Sequence, residues 1–130
     1  MRRSILVSSF LVLALAAPIA AVRAQEHTMA APASEKKVTL QGEVLDMACF
    51  VAHNGQGPSH AACAVKCLKG GQPMGLLAKD GTVYLLFADH ADATAYDKTK
   101  ELGGKNVEIQ GELASKGTFK GITVDSVKPL

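Results

Sequence analysis

The sequence predicts a mainly β protein. Its core is a small five-stranded barrel with one helix between strands 3 and 4. A short helical, cysteine-containing insert lies between strands 1 and 2. Three observations lead there. Segments such as Val38–Val44 and Val107–Leu113 alternate apolar and polar residues, the period of a half-buried strand. Two apolar runs meet at Asp80-Gly81, the strongest short hairpin signal. One stretch, residues 89–104, combines acidic caps, helix formers and a paired-glycine stop, the marks of a single helix.

The elements follow in order. "VTLQGEV" places Val38, Leu40, Gly42 and Val44 on one face of the first strand. The phase then slips by one residue at Leu45, Met47 and Cys49, as a bulge near Gly42 or Val44 would produce. "MGLLAKDGTVYLLFA" reads as the second and third strands around a Lys79-Asp80-Gly81 turn. "DHADATAYDKTKELGG" supplies a helix of about ten residues. "KNVEIQGEL" is the fourth strand, and "FKGITVDSVKPL" is the fifth, with Ile122, Val124 and Val127 inward.

Residues 1–24 read as a secretory signal peptide. "MRR" is a positive start, Ile5–Ala17 an apolar run too short to span a membrane, and "VRA" a cleavage signal before Gln25. Residues 25–37, polar and Ala/Pro-rich, read as a flexible leader. The barrel domain with its insert occupies 38–130, roughly 100 residues and one modest core. The expected location is periplasmic or secreted, with no membrane attachment after cleavage.

The formal charge of +2 belongs to the targeting segment. Cleavage removes all three arginines and leaves 11 lysines against 12 acids. Phosphate neutralisation dominates nucleic-acid affinity, so nucleic acid is not an expected partner. The sequence contains no glycine-rich phosphate loop, Ser–His pairing, C-x-x-C or C-x-x-C-H motif. No catalytic residues are assigned, and no enzymatic turnover is expected.

The order strand, strand, strand, helix, strand, strand is that of the OB-fold barrel. With "GEV" in the first strand and "GKNVEIQGEL" in the fourth, residues 38–128 resemble small exported bacterial OB-fold proteins, including the stress-associated kind. The chain departs from them in the insert, 49–73, which resembles a stretch found in uncharacterised exported bacterial proteins. In an OB-like barrel this first inter-strand loop is a usual ligand-binding edge.

Within the insert, "GPSHAACAVKCLKGG" reads as a helix begun by Pro58 and Ser59 and stopped by Gly70-Gly71. Cys63 and Cys67 are then i,i+4 neighbours, with Cβ atoms about 5–6 Å apart. A disulfide needs about 3.5–4.5 Å, whereas a metal adds about 2.3 Å for each bond to sulfur. Cys63, Cys67 and Cys49 therefore form the nucleus of a candidate metal site. Its fourth ligand is His60, if the first helical turn is unwound, or His53. Three thiolates and an imidazole suit zinc; thiolates assisted by Met47 or Met74 suit Cu(I).

The C-x3-C pair also resembles the ligand pair of periplasmic copper chaperones of oxidase assembly, in spacing alone. If cleavage follows Ala24, the new terminus Gln25-Glu26-His27 has the donors of a square-planar Cu(II) site; the plain alternative is a histidine in a leader. Asp46 is either a hydrogen-bond acceptor that tunes the site or a solvent-facing strand end. "DHAD" at 89–92 reads as a helix start.

The reading is an exported small protein that binds, senses or delivers copper or zinc, its partners being the metal ion and a periplasmic protein. The alternative keeps the same barrel as a disulfide-stabilised interaction or ligand-binding module without metal. Exported cysteines normally pair, and Cys49 bonded to Cys63 or Cys67 would staple the insert. Such a bond contributes roughly 2–4 kcal/mol and leaves one thiol over.

Overall fold

The computed structural model describes residues 36–130. The expected signal peptide, the expected leader as far as residue 35, and His27 lie outside the described residues. Five strands carry the fold: β1 (Lys36–Asp46), β2 (Met74–Ala78), β3 (Val83–Phe87), β4 (Asn106–Lys116) and β5 (Phe119–Pro129). The insert holds two helices, α1 (Met47–His53) and α2 (Ala61–Lys69); α3 (Thr94–Lys100) joins β3 to β4. Among the described residues no helix is long and apolar enough to cross a membrane.

The strands close into a barrel in the order β1-β2-β3-β5-β4. Every pair is antiparallel except β3 with β5. The OB-like architecture follows, with α3 between the third and fourth strands. The hairpin forms at Asp80-Gly81: Asp80 Oδ1 accepts the Thr82 amide at 2.9 Å, and Gly81 takes φ of +82°, which only glycine adopts freely. The core joins Val44, Leu76, Leu86, Val107, Ile109, Ile122 and Val124. Of the inward residues read from the alternation, Val44, Val107, Ile109, Ile122 and Val124 are buried, Leu40, Leu113 and Val127 pack half-buried at the edge of the core, and Val38 is half-buried.

Two elements differ from expectation. β1 begins at Lys36, two residues before the expected domain start at Val38, because Lys36 and Lys37 pair with Leu113 and Glu112 of β4. The phase slip in the first strand is no bulge. β1 pairs continuously with β4 through Lys36–Glu43 and with β2 through Gly42–Asp46; the irregularity lies at Gln110/Gly111 on β4. Val44, Leu45 and Asp46 are all buried because this end of β1 has the core on one face and contacts α1 and α2 as well. The strand stops at Asp46, so Met47 and Cys49 belong to a helix.

Gly42, where β1 passes from one neighbour to the other, has no room for a side chain. A Cβ there would lie 2.3 Å from the Leu77 carbonyl oxygen. The insert helix α2 has a similar seat. Ala64 and Leu68 are its buried residues, and Leu68 joins the barrel core. Gly103 and Gly104, read as a helix stop, also let α2 approach: a Cβ on Gly104 would stand 2.6 Å from Ala61 Cα. The Gly104 amide in turn donates to Val44 O at 2.8 Å. The insert is thus bound to the barrel wall through backbone contact.

Candidate metal centre

Asp46 begins the insert. Its Oδ1 accepts the Ala48 amide at 3.0 Å and caps α1. The Met47 amide donates to Pro73 O at 3.0 Å, which ties the two ends of the insert together. At the far end of α1, Asn54 turns left-handed with φ of 56°. The Gly55 amide then reaches back to Cys49 O at 3.1 Å, closing the end of the helix. The Gly57 amide donates to Glu43 of β1, pinning the loop.

Pro58, Ser59 and His60 form a turn, and α2 starts only at Ala61. His60 is therefore the N-cap residue rather than a member of the first helical turn. An intact helix would have carried its side chain away from Cys67, about 10.5 Å of rise distant. The unwound start brings His60 beside α1 instead.

Three thiols converge at this rim. The sulfurs of Cys49 on α1 and Cys63 and Cys67 on α2 lie within 4.8 Å of one another, and all three are free. A tetrahedral zinc ion with bonds of about 2.3 Å holds its sulfurs about 3.8 Å apart. The thiols therefore need to close by at most about 1 Å. A second grouping shares Cys49: ligand atoms of Asp46, Cys49 and His60 also lie within 4.8 Å of one another.

The remaining candidates are placed differently. His53 is exposed at the end of α1. Its ring meets that of His60 edge-on at 6.0 Å between centroids, and it joins neither grouping. Met74 is committed to the hydrophobic core, and Met47 lays its sulfur over Gly75 of β2. Asp46, weighed as a solvent-facing strand end, is fully buried. Its double role, cap and acceptor at the site, was open to inference from the helix-capping position of Asp; the helix itself was missed because Met47 and Cys49 continued a strand period.

Electrostatics bind Asp46 to the thiols. Burial pushes its carboxyl upward, but hydrogen bonding from the Cys49 thiol, the Ala48 amide and the Cys67 thiol outweighs this and holds it below the usual carboxylate range. The same contacts act in reverse on sulfur. Hydrogen bonding to Asp46, then burial, pushes Cys49 up to about 12. Cys67 is raised by burial, by Asp46 and by Cys63. Without an ion Cys49 and Cys67 hold their protons, because thiolates beside the Asp46 carboxylate would be repelled by it.

Two polar atoms in this region are left over. Asp46 Oδ2 and His60 Nε2 are buried and make no well-directed hydrogen bond, although the Cys49 and Cys67 thiols stand near the carboxyl. Gly55 makes the burial of His60 possible. A Cβ there would fall 2.8 Å from His60 Nε2 and 3.0 Å from Cys49 Cβ. The arrangement offers sulfur, imidazole and carboxylate donors around a small volume, with Cys63 as its exposed side. In comparison with known proteins, no family model matches the chain and no curated relative is found.

Proposed function

We propose that this is an exported small metal-binding protein that takes up a soft transition metal, zinc or Cu(I), for sensing or delivery and turns over no substrate. One observation carries the reading: three thiols from two helices converge within 4.8 Å at one rim of the barrel. Soft thiolate donors select zinc and Cu(I) over harder cations. Cys49 and Cys63 lie on different helices, α1 tied through the Met47 amide to Pro73 O and α2 seated by buried Ala64 and Leu68 against the barrel, so the site is held before the ion arrives. The half-exposed position of the cluster fits exchange with a partner.

The same region contains the residue types of a Cys–His–Asp nucleophilic arrangement. Its electrostatics oppose that use. A reactive thiolate needs a lowered pKa, whereas Asp46 faces the Cys49 thiol and raises it to about 12. Binding an ion reverses this, since the cation compensates the thiolates that Asp46 disfavours.

Metal content of the reduced chain and thiol titration before and after a strong chelator test the reading. Masked thiols that appear together on chelation, and a marked fall in metal affinity on Cys67→Ser, are expected. Full metal affinity in Cys67→Ser would overturn it. The close sulfurs also favour a second reading, a disulfide from Cys49 to Cys63 or Cys67; about one free thiol with no metal at either step would establish that staple instead.

A further inference from the structure

We propose that the cluster holds two metal ions side by side, bridged by the Cys49 thiolate. One position is formed by Cys49, Cys63 and Cys67, the other by Cys49, Asp46 and His60. The inference rests on the metal-binding reading and extends it to stoichiometry and to the chemistry of a second position.

The two groupings have only Cys49 in common, and each is closed to within 4.8 Å. His60 does not complete the trithiolate set. It groups with Asp46 and Cys49 instead. A single ion at the thiols leaves two buried atoms, Asp46 Oδ2 and His60 Nε2, without a directed partner, and Asp46 is fully buried. Buried polar atoms are nearly always satisfied, and an unpaired buried charge is among the costliest features a protein can carry. A cation between Oδ2, Nε2 and the Cys49 sulfur satisfies both at once.

Charge balance agrees. Three thiolates and one carboxylate carry four negative charges, which one divalent ion halves and two divalent ions cancel. The chemistry of the positions differs. The trithiolate position is soft and suits zinc or Cu(I), while the carboxylate–imidazole–thiolate position is borderline and suits zinc. Each ion displaces the thiol protons of its own ligands, and the Cys49 thiolate supplies a lone pair to each.

Native mass spectrometry of the reduced chain loaded with Zn(II), after loosely held ion is removed, reads the number directly. Two ions are expected in the unaltered chain and one in Asp46→Asn and in His60→Ala. Asn caps a helix as well as Asp, so the first variant keeps α1; His60→Ala provides the same reading should Asp46→Asn fail to fold. Cys49→Ser is expected to hold none, and Cys63→Ser one. One ion in the unaltered chain overturns the second position while leaving the trithiolate site intact. Two ions retained in both Asp46→Asn and His60→Ala overturn the assignment of its ligands. No ion at all overturns the metal-binding reading on which both rest.

Discussion

Asp46 and Cys49 are joined across the first turn of α1: one carboxylate oxygen caps the helix on the Ala48 amide, and the Cys49 sulfur lies within 4.8 Å of the same carboxyl. The pairing holds the acid low and the thiol high. A capping residue is thereby also the electrostatic control of a candidate ligand.

A pH dependence follows from that pair. Cys49 rises from the ordinary 9.0 to about 12 in the fold, so the ion-free protein keeps this contribution below pH 9 and loses it as pH climbs toward 12. The alkaline fall in thermal midpoint is expected to be shallower in Cys49→Ser. Metal uptake runs the other way, because each ligating thiol must release its proton; zinc affinity should increase steeply from pH 6 to 8. In Asp46→Asn the carboxylate is gone, and alkylation of Cys49, followed by peptide mass, should begin at a lower pH. An unchanged alkylation profile would show that Asp46 does not govern this thiol.

Gly55 should matter to the site more than to the fold. Its missing side chain leaves space for the His60 ring, with Nε2 only 2.8 Å from where a Cβ would stand. Gly55→Ala is expected to rotate the ring outward at a cost of about 1 kcal/mol in stability. Loss of an oriented imidazole weakens metal binding roughly 10-fold. Competition against a zinc chelator and a thermal melt separate the two effects. A large drop in melting temperature with unchanged affinity would place Gly55 in the scaffold alone.

The barrel was largely legible in the sequence because its information is local. Alternation marked β4 and β5, Asp80-Gly81 marked the hairpin, and the order of elements led to the closed barrel. The insert was less legible. Leu45, Met47 and Cys49 kept a period of two, yet the chain turns helical at Met47, since Asp46 can cap only from a buried strand end that tertiary packing creates. The thiol cluster was visible as spacing; the role of His60 depended on whether α2 began at Pro58 or Ala61. Gly103-Gly104 shows the same limit. A glycine pair signals a helix stop, but its service as the seat of α2 depends on residues about 40 positions away.

That seat yields a scaffold prediction. Gly104 combines φ of +73° with a Cβ position 2.6 Å from Ala61 Cα, and backbone cannot yield as a flexible side chain does. Gly104→Ala is expected to cost at least about 2 kcal/mol, lowering the melting temperature by roughly 10 °C in a domain of this size. α2 carries Cys63 and Cys67, so metal affinity should fall with it. Gly81→Ala has an even higher φ but meets nothing within 4 Å, and serves as the control: it should destabilise less and leave metal binding alone.

His53 tests how the imidazoles divide their work. Both histidines follow Cys49 in the sequence, and their rings lie 6.0 Å apart, but only His60 shares a ligand grouping with Asp46 and Cys49. His53 is exposed at the C-terminal turn of α1 and belongs to neither ligand grouping. His53→Ala should therefore change stability by no more than about 0.5 kcal/mol, while zinc affinity at pH 7.5 stays within about 2-fold, well under the effect of losing a metal-orienting group. Isothermal titration of the reduced chain reads both quantities. A loss as large as that caused by His60→Ala would make His53 a ligand and require α1 to turn its last residue inward when the ion binds.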